Sequence, residues 1–317
     1  MTIEKPDNLV SLFEESTERF KNKPLFGTKN MNSGQFEWIT FGDVRTRVAN
    51  FRGGLAQLNI QKNDAVAIIA NHRVEWAVAA FATYGVGGRF VPMYESEIFK
   101  TWKYIIKDAG VKFLLVSTPE IYAEVQVLKE EISSLEHIYL IDGEGENSMR
   151  HLESLGEKNP TPAHIPNAND IAGLIYTSGT TNDPKGVLLT HGNFTSNARA
   201  GYRKFKNILH EDSVSLSILP WAHSYGQTAE LYNWLFVGGS MGFMHSLETL
   251  ADDFVKVRPT FLIAVPRVFN RIYAGINAKM VEEGGIKQTL FNMAISAAKE
   301  YRENNGKVGF GTKLKLA

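Results

Sequence analysis

Apolar positions follow two different rhythms along the chain, and the switches between them mark out the elements. Residues from Leu9 to Phe20 repeat with the 3.6-residue period of an amphipathic helix, "EWITFGDV" supplies a short strand, and Asp43 is placed to cap a helix running to about Leu58. Compact β-type runs follow: AVAIIA (65–70), RFVPMY (89–94), KFLLVS (112–117) and HIYLI (137–141). Helix-like segments separate them, from His72 to Val86, Ile98 to Ala109 and Pro119 to Ile132. Strands that are apolar throughout, each followed by a helix, predict βαβ units and a parallel sheet covered on both faces.

Between Asp142 and Asp170 the pattern turns polar, with EGEN, GEKNPTP and AHIPNAND as loop signals. This boundary divides the chain into a first α/β subdomain over residues 1–160 and a second over 161–317. Beyond it, strand-like runs return at AGLIYTS, GVLLTH, SVSLSILP, GSMGFMH and PTFLIAVP, with helices expected at Asn193 to Asn207, Tyr225 to Phe236 and Leu247 to Val257. A helical stretch from Val268 to Arg302 leads into "ENNGKVGFGTKLKLA". A domain rarely stops in a lysine-bearing fragment after a glycine-rich loop, so the chain reads as truncated. The expected fold class is α/β, with layered βαβ sheets flanked by helices.

Composition narrows the function. At 317 residues the chain can bury a substantial interior, as two lobes or one large unit. Lys plus Arg and Asp plus Glu each total 34, so no broad basic field exists to attract nucleic acid. There is no cysteine, which removes disulfides, thiolate metal sites and cysteine nucleophiles together. The N-terminus has no basic segment followed by an apolar one, so it does not read as a secretory signal. Ala77 to Gly88 is too short to span a bilayer. A cytoplasmic location is expected, and any membrane contact would be peripheral.

The chemistry concentrates in "IYTSGTTNDPKGVLLTHGNF", Ile175 to Phe194. Thr177, Ser178, Thr180 and Thr181 bring hydroxyls, Gly179 lets the backbone approach a ligand, and Lys185 adds a cation between Pro184 and Gly186. Such donors suit phosphate oxygens, at about 1.5 to 3 kcal/mol for each charge-assisted bond. Turn chemistry alone also selects Ser, Thr and Gly, and that is the ordinary explanation for such a cluster. Two phosphate loops fail on spacing: the only Gly-Lys pair, Gly306-Lys307, is followed by Val308, and Gly85-Val86-Gly87-Gly88 follows a helix-like segment. The loop lies between two strand-like runs, as the lip of a hairpin.

The order Y-T-S-G-T-T-x-D-P-K-G-V-x-L-T-H resembles the phosphate-binding signature of the adenylate-forming enzymes, the superfamily of acyl-CoA synthetases, luciferases and peptide-synthetase adenylation domains. Asn182 departs from the family's usual glycine, and asparagine is the residue that best tolerates a left-handed backbone in its place. Leu219 to Ser240 resembles the family segment lining the acyl pocket, and Phe261 to Met280 is similar to long-chain fatty acyl-CoA synthetases in particular. The resemblance covers nearly the whole chain and implies a large N-terminal domain of such an enzyme. It also implies ATP, Mg²⁺ and coenzyme A as cofactors and a fatty acid as substrate. The reaction would be attack of a carboxylate on the α-phosphorus of ATP, followed by transfer of the acyl group to a thiol. Another carboxylate-adenylating ligase, or a non-catalytic nucleotide-binding module, stays open beside it.

On that resemblance His223, Trp221 and Tyr225 are candidates to line the acyl pocket, although a lone histidine is more often a satisfied core or surface group. Trp234 fits core better than tunnel wall. His191 serves the strand-to-helix turn with Asn193 as cap, and Arg267 starts a helix where an anion contact and a surface ion pair are both open. Tyr225-Gly226-Gln227-Thr228-Ala229-Glu230 superficially resembles the family's Y-G-x-T-E segment, but Ala229 breaks the spacing, so the phosphate and metal roles do not transfer to Thr228 or Glu230. The true segment and the lid with its catalytic lysine do not occur before Ala317, so no catalytic residue and no metal ligand is assigned.

Overall fold

In the run AVAII every residue is buried, and its odd and even positions feed two different cores. A computed structural model describes residues 6–177, 183–246 and 248–305 of the chain. Its strands are β1 (Pro24–Lys29), β2 (Phe36–Thr40), β3 (Ala65–Ile69), β4 (Arg89–Met93), β5 (Val111–Val116), β6 (His137–Leu140), β7 (Ile171–Thr177), β8 (Lys185–Thr190), β9 (Val214–Ser217) and β10 (Ser240–Phe243). They form two sheets among the described residues, of order β6-β5-β3-β4-β7-β8 and β2-β1-β10-β9. Neighbours in the first are parallel except β7 and β8, as the apolar strands and intervening helices predict. In the second, β1 pairs antiparallel with β2 and parallel with β10, placing Phe26 opposite Met241.

The helices are α1 (Leu9–Arg19), α2 (Phe41–Gln57), α3 (Val74–Gly85), α4 (Phe99–Asp108), α5 (Pro119–Val125), α6 (Leu128–Glu131), α7 (Met149–Lys158), α8 (His191–Phe205), α9 (Ser224–Gly226), α10 (Asn233–Val237), α11 (Leu250–Val257), α12 (Pro266–Glu283) and α13 (Gly285–Glu303). Val66 and Ile68 of β3 join Trp76, Phe81 and Tyr84 of α3 in a core shared with the four-stranded sheet, through Phe26, Met241 and Phe243. Ala65, Ala67 and Ile69 face the other way, against Trp102, Ile105 and Ile106 of α4 and Leu128 of α6.

Several boundaries differ from the sequence reading. Thr40, not Asp43, is the N-cap of α2; Asp43 is its partner in a capping box, returning a bond to the Thr40 N–H. The expected helix from Pro119 to Ile132 is two short ones, α5 and α6. PTFLIAVP contributes a single bridge, Ser215 to Phe261, rather than a strand. Helix α7 lies in the polar stretch read as loop; it buries only Met149, Leu152 and Gly156, too few to impose a visible period. Strand β1 escaped notice because its PLFGTK is half polar and glycine-bearing. Of the expected helix from Leu247, α11 begins at Leu250, and Leu247 itself lies outside the described residues.

The chain divides into two compact units, Met1–Ile263 and Ala264–Ala317. In the second, the helical stretch expected from Val268 to Arg302 consists of α12 and α13, which meet at Gly284 and Gly285, whose φ angles of +59° and +56° favour glycine. Residues 306–317, the end of the motif-free tail, lie outside the described residues.

Candidate functional site

The hairpin lip expected from the sequence is the antiparallel pair β7 and β8. Thr177 and Lys185 are register partners at its open end, with Tyr176 opposite Gly186 and Ile175 opposite Val187 one and two steps below. Thr177, Lys185 and Gly186 are exposed, and Lys185 has no ion-pair partner among the described residues. Ser178, Gly179, Thr180 and Thr181, together with Asn182, lie outside the described residues.

The base of the loop is braced by residues that motif reading passed over. The Tyr176 ring lies against Gly186, where an added Cβ would come within 3.0 Å of the ring carbon Cζ. Its hydroxyl donates to Asp108 Oδ2 at 2.6 Å, tying the hairpin to the end of α4. Burial and the neighbouring carboxylate push the Tyr176 hydroxyl pKa upward, so it stays a donor.

Strand β8 runs straight into α8. The N-cap is Thr190, whose hydroxyl accepts from the Asn193 N–H at 3.1 Å while Asn193 Oδ1 accepts from the Thr190 N–H at 3.0 Å. Asn193 is thus the reciprocal partner rather than the cap itself, and α8 starts two residues earlier than read. His191 is buried in its first turn, where Nδ1 accepts the Leu9 N–H at 3.3 Å and the ring meets Tyr84 edge-on. Burial holds its pKa down to about 4.

The expected helix from Tyr225 to Phe236 is three pieces: α9, a π-helix over Gln227–Tyr232, and α10. The wide turn serves buried polar groups. Gln227 Nε2 donates to the Trp221 carbonyl at 2.7 Å, the Tyr232 hydroxyl donates to Gln227 Oε1 at 3.0 Å, and the hydroxyls of Tyr232 and Tyr84 are 2.8 Å apart. Glu230 is fully buried; burial raises its pKa to about 7 although four hydrogen-bond donors pull the other way.

The three acyl-pocket candidates separate. Tyr225 is 48% exposed and lines a cavity of about 290 Å³ with Leu189, Asn193, Phe194, Asn197, Ser224 and Thr228, between α8 and the π-helix. His223 is exposed at the N-cap of α9, where Nδ1 accepts the Tyr225 N–H at 3.1 Å; it is next to the cavity in sequence but not in its lining. Trp221 is 1% exposed, packed among Phe26, His72, Trp76 and Phe243. Trp234 is core, as favoured, and its indole donates to the Ser240 carbonyl at 2.8 Å. Arg267 sits exposed in the first turn of α12, without an ion-pair partner among the described residues. A larger recess of about 550 Å³ opens at the ends of β3 and β4, with Lys29, Asn71, His72, Glu95 and His245 in its wall.

A signature segment bordered by the Thr177–Lys185 sheet pair, in a chain that also holds a lined cavity at Tyr225, invites comparison with known proteins. The family model described as "AMP-binding enzyme" matches residues 13–306. The chain belongs to the AMP-binding enzyme family. Among curated relatives, Long chain acyl-CoA synthetase 8 of Arabidopsis thaliana is 28% identical over 329 residues, covering 90% of this chain and 45% of that protein. The peroxisomal Long chain acyl-CoA synthetase 6 of the same plant is 30% identical over 304 residues, covering 91% and 43%. The chain therefore spans a little under half the length of these relatives. Two solved structures share the fold. The adenylation domain of the carboxylate reductase of Mycobacterium chelonae superposes with a TM-score of 0.75 at 19% identity, over 88% of this chain and 49% of that one. ATP-bound MatB of Rhodopseudomonas palustris gives 0.69 at 24%, over 83% and 50%. As an AMP-binding enzyme family member, the chain has the α/β architecture expected from its strand and helix rhythm. Among the described residues no helix is long and apolar enough to cross a membrane.

Proposed function

We propose that the protein containing this chain is an acid–thiol ligase that activates a long-chain fatty acid with ATP as an acyl-adenylate and passes the acyl group to coenzyme A. The observation carrying this reading is the pairing of Thr177 with Lys185, which sets a hydroxyl and a cation with no ion-pair partner among the described residues at the two ends of the signature loop. Anchored in this way, the loop would grip the β- and γ-phosphates of ATP through Thr177, Ser178, Thr180, Thr181 and Lys185, with Gly179 and Gly186 giving the backbone room. The names of the synthetase relatives support the fatty acid and coenzyme A.

No protein nucleophile is needed for this chemistry, because the substrate carboxylate is itself the nucleophile. What the chain supplies is position and charge: Lys185 offsets the charge of the departing pyrophosphate, and Tyr225 with Phe194 and Leu189 forms an apolar wall for the acyl chain. A polyphosphate is ordinarily handled with Mg²⁺. Among the described residues no three His, Asp or Glu side chains cluster to hold a metal.

The test is ATP–pyrophosphate exchange by the full-length protein with palmitate and with benzoate. Exchange driven by palmitate and not by benzoate is expected. Exchange with benzoate alone would make the protein an aryl-acid ligase, and ATP binding with neither exchange would make it a nucleotide-binding module.

A further inference from the structure

The Glu230 carboxylate has no cationic partner among the described residues, yet it is fully buried. Such a group is costly unless hydrogen bonds satisfy it, and here all four come from four residues within the stretch from Ser217 to Trp221. Oε1 accepts the N–H groups of Ile218 and Leu219 at 3.0 and 3.1 Å, and Oε2 accepts the Ser217 hydroxyl and, at 3.0 Å, the Trp221 indole N–H. Strand β9 ends at Ser217, so Ile218 and Leu219 leave the sheet while still 7% and 3% exposed. An apolar residue at 230 would leave both amides unsatisfied in the interior. Glu230 thus takes the place of the missing neighbouring strand.

The π-turn brings a second hold on the same segment, because Gln227 donates to the Trp221 carbonyl. Trp221 is gripped at both its side chain and its backbone. Immediately beyond it, the His223 N–H donates to the Pro220 carbonyl at 3.2 Å and His223 Nδ1 accepts from Tyr225. With Nδ1 committed as an acceptor, the neutral ring carries its proton on Nε2. Ser224, Tyr225 and Thr228 follow directly on the cavity wall. The signature loop stands on β7 and β8 of the other sheet, with none of its described residues bonded to this network.

We propose that Glu230 is a positioning residue: by clamping Ser217 to Trp221 it fixes where His223 and Tyr225 stand, and so governs use of the acyl substrate while leaving nucleotide binding alone. This rests on the function proposed above for the same cavity. Nothing in the chemistry of the step requires Glu230 to touch a substrate; it acts through the turn.

The test uses Glu230→Gln in the full-length protein, which keeps the volume but sets an amide against the Trp221 indole N–H. Ser217→Ala, which removes one donor, is the milder companion should the first variant not fold. Hydrogen exchange is read at the Ile218 and Leu219 amides, with Leu216 and the β7 strand as controls. Palmitate-dependent pyrophosphate exchange is followed at varied palmitate and varied ATP. Loss of protection confined to residues 218–223 is expected, with kcat/KM for palmitate falling on the order of tenfold and KM for ATP within twofold of the parent. Adding Trp221→Phe to Glu230→Gln removes the opposed donor and is expected to recover part of the loss. Unchanged amide protection, protection lost evenly through β9, or equal losses for palmitate and ATP would each overturn the proposal. A parent protein that exchanges with no carboxylate removes the functional reading instead, and the clamp then stands or falls on the amide protection alone.

Discussion

Thr177 and Lys185 face each other as register partners across β7 and β8. The sheet fixes both residues that border the glycine-bearing signature segment, at the spot where a hydroxyl and an ammonium are exposed. Fixing the ends lowers the ordering cost of closing on a ligand, and on the proposed reading that ligand is the polyphosphate of ATP.

Lys185→Ala should therefore separate binding from stability. The side chain is exposed and has no ion-pair partner among the described residues, so the melting midpoint is expected to stay within about 1 °C. Loss of one charge-assisted contact of about 1.5 to 3 kcal/mol predicts a fall in kcat/KM for ATP of roughly ten- to a hundredfold, measured by pyrophosphate exchange in the full-length protein. An unaltered ATP dependence would remove Lys185 from the phosphate grip.

Tyr176→Phe tests the brace under the loop. The ring can still cover Gly186, but the bond to Asp108 is lost. A cost of about 1 kcal/mol in denaturant unfolding is expected, together with faster amide exchange at Lys185 and Val187 than in β3. Asp108→Asn, which can still accept from the hydroxyl, should show less of both effects.

Gly156→Ala probes the crossing of α2 and α7. A Cβ at 156 would lie 1.7 Å from the Asn50 carbonyl oxygen and 2.4 Å from the Gly54 nitrogen, so the helices must part. A loss of about 3 kcal/mol or more is expected from chemical denaturation, with insoluble expression as the extreme outcome. A variant as stable as the parent would show that the two backbones are not in contact.

His191 gives a pH signature with a definite sign. Its pKa is lowered from 6.5 to about 4 by burial, with Asp170 raising and His164 lowering it to smaller extents. A depressed folded pKa means its contribution is fully present above pH 6.5 and is lost as the pH falls through about 4, a swing of about 3 kcal/mol. His191→Gln keeps an acceptor for the Leu9 N–H but cannot titrate. The stability difference between parent and variant should shrink or invert between pH 6.5 and 4 in urea unfolding, with α1 exposed first in the acidified parent. Glu230, raised to about 7, has the opposite sign, losing its contribution as the pH rises from about 4.5 through 7, and His72, also lowered to about 4, is common to both proteins.

Much of this architecture is visible in the amino-acid pattern because burial on two faces leaves no alternative composition. AVAII and KFLLV have no polar position to spare, and they appear as the buried parallel strands β3 and β5. The family is equally plain, because the full order of residues from Tyr176 to His191, rather than the hydroxyl cluster alone, carries the resemblance that the family match to residues 13–306 bears out. Local rhythm fails where tertiary contacts set the geometry. The π-helix at Gln227–Tyr232 is held in part by Tyr84, 148 residues from Tyr232, and Trp221 looks available for substrate until Phe26 and Phe243 are seen around it. Glu230 did leave a trace, as a lone acidic residue in an apolar stretch, but its four donors are distributed over a neighbouring strand end.

The four-stranded sheet joins distant parts of the chain, Phe26 lying beside Met241 and Gly27 beside Gly242. As the polypeptide is synthesised, the β1–β2 ribbon is made long before β10 exists to cover its open edge. Until then Leu25 and Phe26 present an unpaired apolar margin, the kind that recruits other nascent chains. Yield in a cell should consequently depend on how quickly residues up to 243 emerge, and on chaperones that shield that margin in the interval.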